Sequence, residues 1–247
     1  MVKYNLEFIG YSEQGNRKIN QDYFNCFLNN SGFLIAVIAD GMGGHIGGEI
    51  ASKIAVDEIS RIFRKVDFNN IKEKKIKEFF LLSIKVVLDK MKEIAKKNDD
   101  LFEMGTTLNI NIFIDQYIYI LNIGDSKTSS VTQKFINSIT VDQNLATVVQ
   151  KFDKYSDHKN AKNILTSSLG PKKDLRIDLY KAKLNQSGYI LITTDGIHNH
   201  ISKIELLDEL NSNHPLETKI KNIVKKAYNN GSNDNMSGIL IKYYEKI

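Results

Sequence analysis

Four short acidic islands, at Asp22, Asp40, Asp195 and Asp234, punctuate a chain of 247 residues. They read Asn-Gln-Asp ending at Asp22, Asp-Gly-Met-Gly-Gly from Asp40, Thr-Asp-Gly around Asp195, and Asn-Asp-Asn around Asp234. Each aspartate lies near the end of an apolar, β-branched run or beside a turn, next to glycine or asparagine. Strand ends that deliver several carboxylates to one place make a hard-cation site, because oxygen ligands suit Mg²⁺ and Mn²⁺. Without a cation such a cluster repels itself and pushes protons onto some of its members. The islands therefore point to a metal enzyme.

The runs that lead into the islands set the expected architecture. Residues 6–10 and 23–28 read as strands flanking a polar turn at 12–18, and residues 33–39 form a continuous apolar run that suits a strand buried on both faces. From Ile46 the period becomes helical, with Ile46, Ile50, Ile54, Ile59 and Ile62 recurring among charged residues. A second helix is expected at about 71–97, with Ile76, Phe80, Val87, Met91 and Ile94 on one side. Strands resume at 107–114 and 117–123, joined by the hairpin signal Asp115-Gln116, and again at 127–132, 175–184 and 189–193. A helix at about 216–228 and a closing strand at 236–244 end the chain. This order lacks strand–helix alternation, so the expected class is α+β, with stacked antiparallel sheets and helices outside. No Pro-rich or Ser-rich linker and no repeat divides the chain, so one domain over 1–247 is expected, with the polar stretch 143–163 as a surface flap that starts helically at 145–149.

Composition narrows the partners. The net charge of +5 is spread along the chain apart from the stretch 72–77, which reads as a solvated helix face, so nucleic acid is not an expected partner. Cys26 is the only cysteine, which rules out an intramolecular disulfide. No apolar run approaches the ~20 residues that cross a bilayer. A cytoplasmic monomer with no membrane association is the expectation.

Two divalent ions about 3.5–4 Å apart polarise a phosphoryl oxygen and generate a hydroxide nucleophile near neutral pH. Asp40 has the neighbours of a bridging ligand, because glycines at 41, 43 and 44 let the main chain approach the ions. Asp195 and Asp234 read as terminal ligands, and the planar fork of Arg17, just before Asp22, suits two phosphate oxygens.

At these residues the chain resembles the metal-dependent serine/threonine protein phosphatases of the PPM type, the type 2C group, in their short bacterial form. The matching pieces are Arg17-Lys-Ile-Asn-Gln-Asp22, Ala39-Asp-Gly-Met-Gly-Gly44, Met104-Gly-Thr-Thr107, Asn122-Ile-Gly-Asp-Ser126, Leu165-Thr-Ser-Ser-Leu-Gly170, Thr194-Asp-Gly196 and Asn233-Asp-Asn235. The resemblance implies a four-layer α-β-β-α sandwich, two antiparallel sheets flanked by helix pairs. It also implies a binuclear Mn²⁺ or Mg²⁺ centre at the end of that sandwich, with a third ion in bacterial relatives. Carried over, Asp40 bridges both metals, Gly41 offers its carbonyl to one, and Asp195 and Asp234 hold the other. Asp22 acts around the metals through bound water, Asp125 matches the third-metal position, and Arg17 clamps the substrate phosphate. A metal-bound hydroxide then attacks phosphorus directly in phosphoserine or phosphothreonine proteins, the products of a bacterial serine/threonine kinase.

Gln21, Lys127, Gln143 and the pair Ser167 and Ser168 depart from the family pattern, which bears on substrate preference and metal affinity. They keep alive one alternative, a pseudophosphatase that serves as a binding scaffold. His45 and His158 are minor candidates for acid catalysis, while His198, His200 and His214 read as surface or capping residues. Other chemistries lack their residues: Cys26 has no arginine a short loop later, the 41–48 glycines lack a P-loop lysine, and there is no His-Glu-x-x-His for zinc.

Overall fold

The computed structural model describes residues 4–42, 47–150, 152 and 161–246. His45, His158, Gly43, Gly44 and Ile46, and much of the 143–163 stretch, lie outside them. The chain opens with β1 (Tyr4–Glu13), β2 (Asp22–Leu28) and β3 (Leu34–Asp40), then α1 (Gly48–Phe63) and α2 (Glu73–Ala95). The strands β4 (Leu108–Ile114), β5 (Tyr117–Ile123), β6 (Lys127–Val131) and β7 (Ile136–Ser138) follow, and α3 (Leu145–Val149). The last part comprises β8 (Asp178–Lys183), β9 (Ser187–Thr193), α4 (Asp195–His198), α5 (Lys203–Asn211), α6 (Leu216–Asn229) and β10 (Met236–Glu245). All pairings are antiparallel and give two five-stranded sheets, in the orders β2-β3-β4-β5-β8 and β1-β10-β9-β6-β7. The expected class, α+β with two antiparallel sheets and helices outside, is the one observed.

Strand parity sorts the apolar residues into three layers. In β3, Leu34, Ala36 and Ile38 face the second sheet, whereas Ile35, Val37 and Ala39 face α1 and α2. In β10, Ile239, Ile241 and Tyr243 fill the space between the sheets, and Leu240 and Met236 meet α4–α6. A strand that must satisfy both faces has no polar alternation to show, which is why residues 33–39 read as one apolar run.

The buried stripe of α1 differs from the expected one. Ala51, Ala55, Ile59 and Phe63 are fully buried, while Ile50, Ile54 and Ile62 are only partly covered. Alanine side chains let this helix approach β3 closely, and the larger isoleucines lie to the side of the contact. In α2 the expected side is the buried one, through Ile76, Phe80, Val87 and Met91. The short α4 and α5, and β7, were not expected. No helix among the described residues is long and apolar enough to cross a membrane.

Candidate active site

The register carries the aspartates to one end of both sheets. Asp22 begins β2 and Asp40 ends β3, and the two are directly opposite each other in the ladder. The β5–β6 turn, which carries Asp125, lies beside the start of β4, because Leu108 pairs with Ile123. In the second sheet the end of β9 pairs with the starts of both β6 and β10, through Thr193 with Lys127 and with Gly238. Asp195 follows β9 at the first turn of α4, and Asp234 sits in the loop before β10. Glu13 pairs with Met236, so the β1–β2 connection with Arg17 reaches the same end. Arg17, Asp40, Asp125, Asp195 and Asp234 line one cleft of about 550 Å³.

Backbone contacts hold each loop. Thr107 Oγ1 accepts from Asp40 N–H at 2.9 Å, and the Asp40 carbonyl accepts from Thr107 N–H and Thr106 Oγ1. Gly41 N–H donates to the Gln21 carbonyl at 3.0 Å. A Cβ on Gly41 would stand 2.3 Å from the Gly48 carbonyl oxygen, so the crossing of these two main chains admits only glycine here. Asn235 ties the Arg17 loop to β10: its Oδ1 accepts from Gln21 N–H at 2.8 Å, and its Nδ2 donates to the carbonyls of Gln14 and Ile19. Asn235 entered the sequence reading only as the flank of Asp234. Its role became legible only once the 14–21 loop was seen across from it.

The cleft is crowded with negative charge. Burial pushes the Asp22 carboxyl up to about 7, against hydrogen bonds from Ser237 and Thr194, and Asp195 and Asp234 add to the rise. Asp40 is raised well above its ordinary range by burial, with Asp22, Asp195, Asp125 and Asp234 contributing. Burial, then Asp195 and Asp142, lift Asp125 to about 8. Asp195 is raised by burial and by Asp234, while the Gly196 backbone N–H pulls it down. Thr194 Oγ1 donates to Asp22 Oδ2 at 2.9 Å, whereas Asp22 Oδ1 is buried with no partner.

These observations test whether the residues suit a divalent cation. The donors are all oxygen, one buried carboxylate oxygen is orphaned, and the carboxylates compete for protons that a hard cation would displace. They fit such an ion. The ligand set stands open, however: no three His, Cys, Asp or Glu side chains among the described residues are already drawn together around one point. Arg17 Nη2 donates to Asp234 Oδ2 at 2.8 Å. Arg17 thus occupies the mouth of the cleft, paired with a carboxylate.

Of the histidines read as surface or capping residues, His200 also lines the cleft. His198 is half-buried with Nδ1 3.0 Å from Thr193 Oγ1, and His214 Nδ1 lies 2.8 Å from Glu209 Oε1. The position of His200 follows from α4, a helix too short to leave a periodic signal. The base of the expected flap is not surface: Gln143 and Asn144 are buried.

Comparison with known proteins agrees with this fold. The protein phosphatase 2C family matches residues 9–240, and the chain belongs to that family. It is 30% identical over 235 residues to the protein phosphatase PhpP of Streptococcus pneumoniae serotype 2, covering 93% of this chain and 94% of that one. The structure superposes on the Streptococcus agalactiae serine/threonine phosphatase with a TM-score of 0.88 at 28% identity, over 98% of this chain and all of that one. The catalytic domain of the serine/threonine protein phosphatase PstP, in complex with two manganese ions, shares the fold at 18% identity, with a TM-score of 0.83 over 98% of this chain and 100% of that one.

Proposed function

We propose that this chain is a phosphoserine and phosphothreonine protein phosphatase that works with two divalent cations, Mn²⁺ or Mg²⁺, as a monomer in the cytoplasm. The observation that carries the reading is the gathering of Asp40, Asp125, Asp195 and Asp234 in one cleft, with Asp22 buried opposite Asp40 and a single arginine at the mouth. A phosphomonoester dianion would be repelled by that cleft as it stands. Two divalent cations bring its charge close to neutral, so substrate binding and cation binding become one requirement.

Asp40 and the Gly41 carbonyl would help hold the ions, and Asp195 and Asp234 would complete the set. Asp22 would act from just behind them, and Asp125 would serve a third ion. When bound, such ions supply a water acidified to near neutrality and electrophilic relief of charge on the phosphoryl oxygens. The chain's own part is positional. Thr106 and Thr107 fix Asp40, and the planar guanidinium of Arg17, once released from Asp234, presents two N–H groups to phosphate oxygens. No side chain here is called on to form a covalent phosphoenzyme.

The substrates are phosphoproteins made by a serine/threonine kinase, in keeping with relatives named serine/threonine phosphatase. A pure binding scaffold would have no use for a retained set of mutually repelling buried aspartates, which favours the enzyme. Hydrolysis of a phosphothreonine peptide, followed by phosphate release, tests the reading. Turnover is expected with Mn²⁺ and none in excess chelator; equal rates in both would overturn it.

A further inference from the structure

Gln143 is almost wholly buried, at 1% exposure, and joins three separate segments. Its Oε1 accepts from Gly124 N–H at 2.8 Å, and its own N–H donates to the Gly124 carbonyl at 3.1 Å. Its Nε2 donates to Asp178 Oδ2 at 2.9 Å at the start of β8, where Arg176 grips both carboxylate oxygens. Its carbonyl accepts from Thr166 N–H at 2.9 Å. Beside that contact, Leu145 N–H donates to the Ile164 carbonyl at 2.8 Å. The Gln143 side chain therefore links the β5–β6 turn to the edge strand β8, while its backbone carbonyl ties in the base of the 143–163 segment.

The turn needs outside support. Gly124 has φ +92°, and a Cβ there would stand 2.6 Å from Thr107 Cγ2, so residue 124 has no side chain with which to anchor itself. Asp125, the next residue, is buried and faces the charges of Asp195 and Asp142. The 140–143 segment braces the turn from the far side as well, since Thr140 Oγ1 accepts from Thr128 N–H at 3.0 Å and Asp142 pairs with Lys127 at 3.0 Å. Among these braces, Gln143 alone binds both polar groups of the residue immediately before Asp125.

We propose that Gln143 is a positioning residue of this site: it holds the 124–125 turn, so that ion retention at Asp125 depends on an amide that never touches the ion. The inference rests on the phosphatase reading above. Outer partners of this kind change metal affinity by about 10–100-fold when removed.

The test is a calorimetric titration of Mn²⁺ into the chelator-stripped full chain. Parent, Gln143→Met, Asp125→Asn and the double variant are compared, with circular dichroism as a check on folding. Gln143→Met is expected to weaken one class of ion by about tenfold or more. Asp125→Asn is expected to weaken the same class, and the double variant to be no weaker than Asp125→Asn alone. A Gln143→Met titration like the parent's overturns the inference. So does a Gln143→Met loss that persists in the Asp125→Asn background, which is what a merely structural role would give. If Gln143→Met does not fold, Asp178→Ala on the exposed edge strand removes the Nε2 anchor instead: a loss confined to the same ion class supports the proposal, and an unchanged titration overturns it. A parent that binds no Mn²⁺ overturns the phosphatase reading along with this one, whereas a parent that binds it with Gln143→Met unaffected overturns this one alone.

Discussion

Asp22 and Asp40 are partners in a β-ladder, an arrangement that ordinary sheets avoid because like charges directly opposite each other destabilise it. The cost has a pH signature. In the unfolded chain these carboxyls titrate near about 3.9, whereas folding raises Asp22 to about 7 and Asp125 to about 8. Between those limits the folded state binds more protons than the unfolded chain, so ion-free stability falls as pH rises through the window. Scanning calorimetry in chelator should therefore give a higher Tm at about pH 5 than at about pH 8, with Mn²⁺ restoring most of the difference. A Tm that climbs over that range without metal would contradict this account of the cleft. The same repulsion predicts opposite effects of one substitution on stability and activity. Asp40→Asn should raise the ion-free Tm at neutral pH, and both it and Asp195→Asn should lower phosphothreonine turnover on the order of 10³-fold or more with the fold intact. Near-normal rates in either variant would remove the assignment.

At the scale of elements, the two helix layers are tied to the sheets by different means. The first layer is dominated by aromatic packing around Phe63, which is fully buried and meets Phe27 at 5.9 Å, Phe68 at 5.3 Å and Phe79 at 6.1 Å between ring centroids. Phe63→Ala should cost about 3–5 kcal/mol in denaturant unfolding, because these rings cannot all collapse into the space it leaves. A loss below about 1 kcal/mol would mean that α1 is not held as described. The second layer was only half legible. The period of α6 is plain, with Ile220, Ile223 and Val224 buried on one face. The α5 helix has a capping box, Ser202 with Glu205, that spells its start, but its nine residues carry too short a stripe to stand out by periodicity. In α1 the eye goes to the isoleucines, whereas close packing against β3 selects the alanines, a choice made by tertiary distance rather than by hydrophobicity.

For the whole molecule, the sequence located the aspartates but not what holds them. Asp40, Asp195 and Asp234 were legible because glycine and asparagine mark the strand ends where they sit. Asn235, Thr107 and Gln143 act through contacts with residues remote in the chain, and nothing in their local sequence announces such partners. Antiparallel pairing in both sheets does the rest, turning positions 22, 40, 125, 195 and 234 into neighbours at one end of the sandwich. The most direct test of that convergence is anomalous diffraction at the manganese edge from crystals grown with Mn²⁺. Two peaks about 3.5–4 Å apart, bounded by the carboxylates of Asp40, Asp195 and Asp234, are the predicted result. A cleft without peaks at saturating Mn²⁺, or peaks that leave Asp40 uncoordinated, would contradict the account.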